Sequence, residues 1–286
     1  MSKRLIVLLF LFTSVVVSAQ RHHEMGIFAG TSSYYGDLQQ NLFPAQGYRA
    51  SGGLLYKYFI HPNIGFRFGA TYASLYGADS MSESKAIKNR NLNFQTNLFE
   101  VHSAIEVNLL PVDFDEFKIS PYVFAGLALF YYNPYTLGQD AEKIYLRPLS
   151  TEGQGLRQYP GRKVYSLVNA GVPLGGGIKT LIGKKVLVSG EIGFRYTATD
   201  YLDDVSSTYV NMDTLFRYKG KQSVDLSFRS DELPNWDGNY PNDKFVRGDN
   251  MKKDWYWFAG INVAIYFDAF GNSFPYKKTR CPRKTF

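Results

Sequence analysis

An eight-stranded antiparallel transmembrane β-barrel is the fold class the sequence predicts. Three observations predict it. Eight stretches are apolar at every second residue, which is the period of a strand. The connections between them alternate short and long, as in barrels with tight periplasmic turns and extended extracellular loops. Tyr, Phe and Gly are abundant, at 22, 22 and 26 of 286 residues, while charged residues are 20%. That balance suits a β protein with aromatic girdles and close internal packing.

The first element is an export signal. Lys3 and Arg4 precede an apolar run from Leu5 to Val17, and Val17-Ser18-Ala19 forms a small-residue cleavage site before Gln20. The run is too short for a membrane anchor, and no Cys follows it as a lipoprotein signal requires. The domain organisation is therefore a signal peptide at 1–19, a barrel at 20–268 and a basic periplasmic tail at 269–286.

The strands follow in order. The first carries Met25, Ile27 and Ala29 on one face. The second carries Leu54, Tyr56, Tyr58 and Ile60, and the third Ile64, Phe66, Phe68, Ala70 and Tyr72. In the fourth, Phe99, Val101, Ile105, Val107 and Leu109 share a face, and in the fifth Ile119, Val123, Ala125, Leu127 and Leu129. The sixth has Val168, Ala170, Val172, Leu174 and Ile178, with a bulge or weak pairing expected at Pro173. The seventh has Val186, Val188, Ile192, Phe194 and Tyr196, and the eighth runs from Trp255 to Phe267. Short spacers lie at 61–63, 111–118 and 183–185, and long ones at 35–49, 78–91, 132–165 and 200–254.

A soluble barrel of the lipocalin type would turn the apolar faces inward. The opposite faces here carry glycine and isolated charges rather than a dense hydrophilic coat. Aromatic clusters Tyr34-Tyr35, Tyr131-Tyr132 and Trp255-Tyr256-Trp257 also fall at strand ends, where interfacial belts belong. The apolar faces are therefore assigned to outer-membrane lipid. The other faces form a lumen containing Glu24, Lys57, Arg67, Glu100, Glu106, Lys179, Glu191 and Arg195, four acids and four bases predicted to pair and fill it.

Charge and motifs exclude other classes. The formal net charge is +7, and Lys3, Arg4 and five cations of the tail, Lys277, Lys278, Arg280, Arg283 and Lys284, account for it. The barrel is neutral, so nucleic-acid binding has no support. Cys281 is the single cysteine, so no intrachain disulfide exists. His102 and Ser103 fall on opposite faces of a strand and cannot act as a catalytic pair. No cofactor motif and no enzymatic constellation is found. Arg247-Gly248-Asp249 reads as a solvated loop tripeptide, and the acid- and amide-rich 231–243 lacks the calcium-loop spacing.

The first strand and its loop, with Tyr35-Gly36-Asp37, and Arg90-Asn91-Leu92-Asn93-Phe94 leading into the fourth strand, resemble the PorG family of the type IX secretion system. The resemblance covers most of the mature chain. It departs from the family at Gly77-Ala78-Asp79, where a Gly-Asp pair is expected. The resemblance implies a non-enzymatic outer-membrane barrel that associates with the periplasmic PorK/PorN ring. The tail cations are the possible contact. A general OmpA-like structural or adhesive barrel is the alternative.

Overall fold

The computed structural model describes residues 22–110, 119–138, 140–183 and 185–267. The signal peptide, the 111–118 turn and the tail with its five cations and Cys281 lie outside the described residues. Eight long strands form the wall: β1 (His22–Tyr35), β2 (Arg49–His61), β3 (Ile64–Ala78), β4 (Asn93–Asn108), β5 (Ile119–Tyr132), β8 (Val168–Ile182), β9 (Val186–Thr197) and β10 (Trp255–Phe267). A short hairpin, β6 (Tyr135–Leu137) and β7 (Lys143–Tyr145), adjoins β4 through Gln95 and Tyr135.

The wall is closed. Each long strand is antiparallel to its neighbours. β3 pairs with β4 from Ile64–Val107 to Ala78–Asn93, and β1 pairs with β10 from His23–Phe267 to Tyr35–Trp255. Closure leaves no edge, which is what allows β structure to cross lipid with every backbone group paired. Among the described residues no helix is long and apolar enough to cross a membrane.

The strand phase places the apolar residues outside. Met25, Ile27, Leu54, Phe68, Leu127 and Ile265 are more than 45% exposed, whereas Glu24, Lys57, Glu100 and Arg195 are at most 3% exposed. So large an apolar surface on a closed barrel demands a lipid solvent rather than water. With its polar, filled interior and its short-turn, long-loop alternation, the barrel is of the outer-membrane type. The strands are 12–16 residues long, beyond the roughly 9–11 residues that a tilted strand needs to span. The strands are therefore longer than the bilayer span requires.

Of two local expectations, weak pairing at Pro173 holds and the aromatic belts change. At Pro173 the ladder from β8 to β5 is interrupted between the Leu174–Ala125 and Gly171–Ala128 pairs, with no shift of register. Pro173 supplies no N–H, so pairing is lost there without a bulge. The aromatic clusters are not simple belts. Tyr34, Tyr132 and Tyr256 are fully buried in the interior, because strict alternation turns one residue of each cluster inward. Trp257 faces outward but is covered by the first long loop. Its indole N–H donates to the Leu42 carbonyl at 2.8 Å, and Phe43 and Tyr48 pack against its ring.

Replacing Val263 or Ile265 by Arg places a charge on the lipid face. We expect a loss of about 2–4 kcal/mol if the site lies at the midplane, whereas Leu at either position leaves stability nearly unchanged. Urea unfolding in lipid vesicles measures both, and equal tolerance of Arg and Leu would invert the inside–outside assignment.

Candidate functional site

The periplasmic half of the lumen is an ion network around Glu106. Lys57 Nζ lies 2.7 Å and Lys179 Nζ 2.8 Å from its carboxylate, and Arg67 approaches to 3.7 Å. Glu24 completes the cluster at 3.7 Å from Lys57 and 3.8 Å from Lys179. Arg67 also forms a two-pronged bond to Glu191, at 2.5 and 2.8 Å, and Tyr122 donates its hydroxyl to the same carboxylate at 2.7 Å. A guanidinium fork matches a carboxylate edge, so this pair is directional as well as charged.

A second group lies nearer the extracellular end. Glu100 accepts from Arg195 Nε at 3.1 Å and from the Tyr256 hydroxyl at 2.7 Å, and His102 Nδ1 is 3.0 Å away. All eight charged residues of the predicted lumen set therefore meet in two groups.

Each of the four cations also sits over an inward ring: Lys57 over Tyr122, Arg67 over Phe124, Lys179 over Phe59 and Arg195 over Phe258, at 4.2–4.9 Å. The negative faces of the rings add to the carboxylates where water is excluded. Glycine makes the room. A side chain at Gly69 would strike the His102 ring, and one at Gly193 would meet Phe124 and the Arg195 guanidinium. A cavity of about 10 Å³ bordered by Arg67, His102, Glu191 and Arg195 has room for one water at most.

Above the ions the lumen becomes an apolar core that continues into the loops. Phe28, Leu75, Phe94, Leu98, Phe130 and Tyr132 from the wall join Leu38, Leu146, Leu202 and Val205 from the loops. The loops thus form a folded cap. The second loop contains α1 (Lys85–Arg90). The fourth contains α2 (Met212–Lys219), capped by the Asn211 side chain, which accepts from Thr214 N at 2.8 Å, and α3 (Lys221–Ser227).

Arg90 ties the cap to the barrel mouth. It binds Asp79 at 2.6 and 2.8 Å and donates to the Asp37 carbonyl at 2.9 Å and to the Arg247 carbonyl. Arg247 is 2% exposed, pairs with Glu152 at 3.0 Å and donates to the Asp204 carbonyl at 2.7 Å. Within the Arg247-Gly248-Asp249 tripeptide, which reads from sequence as a solvated loop, Arg247 is internal scaffolding, while the Asp249 side chain stays 44% exposed. Burial raises Asp37 and Asp204 to about 6 and Asp200 to about 7. Asp203 and Asp254 are pushed well up by burial, with repulsion from Asp37 on the first and from Asp203 on the second. The Tyr34 hydroxyl lies 2.6 Å from the first and 3.1 Å from the second. Each carboxylate also accepts from a backbone N–H, Asp203 from Val205 and Asp254 from Leu202, both at 2.9 Å.

Residues 2–149, just over half of the chain, match the model of a family described as Domain of unknown function (DUF6089). The chain belongs to this family. No curated protein matches it. Among solved structures it is similar to Ail, the attachment invasion locus protein of Yersinia pestis, at 8% identity and a TM-score of 0.41, covering 87% of this chain and 99% of that one. Neisserial surface protein A gives 9%, 0.40, 87% and 98%. The N-terminal β-barrel domain of Pseudomonas aeruginosa OprF gives 10%, 0.36, 87% and 98%. The fold of this DUF6089 chain is defined independently of these likenesses, by closure of β3 on β4.

His102 is buried against Glu100, while Ser103 points to lipid. Among the described residues no group of His, Cys, Asp and Glu could hold a metal ion. The inward phase of the charges is visible as period two, but their pairing is not, because Arg67 and Glu191 are 124 positions apart. The cation–ring contacts and the cap's buried arginines carry no periodic signal.

The pairing makes a double-mutant cycle decisive. Arg67→Met or Glu191→Gln alone strands a buried charge, at a cost of about 3–5 kcal/mol. The double variant is expected to recover part of this. Arg195→Gln with Glu191→Gln is expected to be close to additive, since Arg195 binds Glu100. Urea midpoints in vesicles measure the coupling, and strong coupling of Glu191 to Arg195 alone would mean a different pairing.

The cap carries a pH dependence of defined sign. Asp37, Asp200 and Asp204 hold protons more tightly folded than unfolded, where an Asp titrates near 4. Their contribution is complete below about pH 4 and is lost as pH rises through 6–7. Amide exchange in 199–208 is therefore expected to be slower at pH 5.5 than at pH 8, after correction for intrinsic rates. Faster corrected exchange at pH 5.5 would contradict this.

Proposed function

We propose that the protein is a non-enzymatic outer-membrane component of the type IX protein secretion machinery. It associates on the periplasmic side with ring proteins of the PorK/PorN kind. One observation supports this reading above the others: the two sequence segments that resemble the PorG family join as one unit at the barrel mouth. Arg90 binds the Asp37 carbonyl, Asp79 accepts from both Arg90 and the Leu92 N–H at 2.9 Å, and Tyr34 meets Phe94 edge-on at 4.8 Å. Segments linked by a contact across 53 positions thus share a structural role, so they are more than independent short matches.

On this reading the barrel is an anchor rather than a channel. The ions and rings fill the lumen and the cap covers its outer end, so the described residues suit an anchor. The periplasmic contact is assigned to Lys277, Lys278, Arg280, Arg283 and Lys284, whose charge suits an acidic groove on a ring subunit. The second reading, an OmpA-like structural or adhesive barrel, is favoured by the size and order of the cap.

Deletion of the gene separates the two. A secretion component is expected to be required for export of cargo bearing a C-terminal sorting domain, and its full-length tagged form to co-purify with ring subunits. Truncation after Asp268 is expected to leave the barrel assembled and to abolish co-purification. Normal export in the deletion strain would remove the secretion reading. Co-purification that survives truncation would move the contact to the turns at 61–63, 111–118 and 183–185.

A further inference from the structure

The cap holds a groove that neither the lumen nor the periplasmic contact uses. It lies between α1 of the second loop and residues 228–249 of the fourth, and has a volume of about 770 Å³. That is within the range of small-molecule sites, about 300–1,000 Å³.

Its central feature is a preorganised aromatic platform. Tyr240 is 47% exposed, yet its ring packs on Phe228 at 5.4 Å and on Trp236 at 5.6 Å. Tyr209 supports Phe228 from below at 5.9 Å. The turn that carries Tyr240 is fixed: the Trp236 indole donates to the Asn239 carbonyl at 3.0 Å, and Asp237 accepts from the Asn239 N–H at 3.0 Å. Gly238 makes the reversal with φ +83°, a left-handed conformation that suits glycine. A ring held in place while partly open loses little conformational entropy when a ligand stacks on it.

Around the platform stand uncharged hydrogen-bonding groups. Gln40, Asn89 and Asn235 line the groove and make no side-chain hydrogen bond within the described residues. Amides both donate and accept, as a ligand dense in hydroxyls requires. The two cations of the lining are already engaged, Arg90 by Asp79 and Arg247 by Glu152. Asp37, Asp237 and Asp249 face the same space. An anionic ligand would find no uncommitted positive partner, and a purely aliphatic one would bury amides unpaired. An exposed ring face flanked by amides and carboxylates suits the apolar and hydroxylated faces of a sugar.

We propose that this groove binds a neutral oligosaccharide, which stacks on Tyr240 and hydrogen-bonds to Asn235 and Asn89. The site opens on the side of the barrel that carries the long loops.

Isothermal titration of the full-length protein in nanodiscs tests the assignment. The probes are maltotriose, chitotriose and mannotriose, with a heparin trisaccharide and a neutral tripeptide as competitors for the same site. At least one neutral trisaccharide is expected to bind. Tyr240→Ala is expected to weaken it at least tenfold, Tyr240→Phe to retain it, and Asn235→Ala to weaken it several-fold, with heat-modifiable migration of each variant confirming a folded barrel. No binding of any neutral probe at millimolar concentration would overturn the proposal. So would binding indifferent to Tyr240→Ala, or preferential binding of the heparin fragment or the tripeptide. Secretion in the same variants is read separately, and its loss or retention bears only on the secretion role.

Discussion

Glu106 lies against three cations, Lys57, Arg67 and Lys179. An eight-stranded barrel is narrow enough for side chains to fill. A cation in that space, cut off from water, is costly unless paired. The carboxylate of Glu106 balances the crowding of Lys57 and Lys179, Glu24 meets the same two lysines, and Glu191 holds the fork of Arg67. The aromatic rings beneath the cations depend on this arrangement too, since each packs a charge already neutralised by an acid. The wall supplies the closure, and the ions let that closure be dry.

The apolar core above the ions explains the cap. Once the lumen is sealed at mid-depth, its upper part has no reason to stay wet. Phe94, Leu98, Phe130 and Tyr132 instead extend the barrel interior upward into a cluster with Leu146, Leu202 and Val205. The long loops gain a base on which to fold, and Arg90 and the buried Arg247 fasten them to one another. A groove with ordered walls becomes possible only because the loops are not independent. On the two proposals above, a periplasmic ring and an outer ligand would be met at opposite ends of the barrel.

Much of this is written locally in the chain. Period two marks all eight wall strands and separates lipid-facing Val263 and Ile265 from buried Asn262 and Ala264. Several lumen charges stand out because they interrupt faces rich in glycine, as Glu24 does beside Gly26 and Gly30 and Arg67 beside Gly65 and Gly69. What resists such reading is non-local. Nothing near Arg195 in sequence points to Glu100, and the β6–β7 hairpin and the three short helices lie in loops without sustained periodicity. Tyr34 and Trp257 resemble interfacial aromatics until the cap and the first loop cover them. Segment 231–243 looks like a hydrophilic loop because the packing of Tyr240 on Phe228 and Trp236 is set by the fold.

Conductance tests the central claim, that paired ions and packed rings close the lumen, most directly. Purified full-length protein reconstituted in a planar bilayer is predicted to give no stable channel openings at ±100 mV in 1 M KCl. A variant that empties the network, with Glu106, Lys57 and Lys179 all replaced by Ala, is predicted to give measurable conductance if it folds. Stable, ohmic openings of the unaltered protein, in preparations free of contaminating porins, would contradict the account.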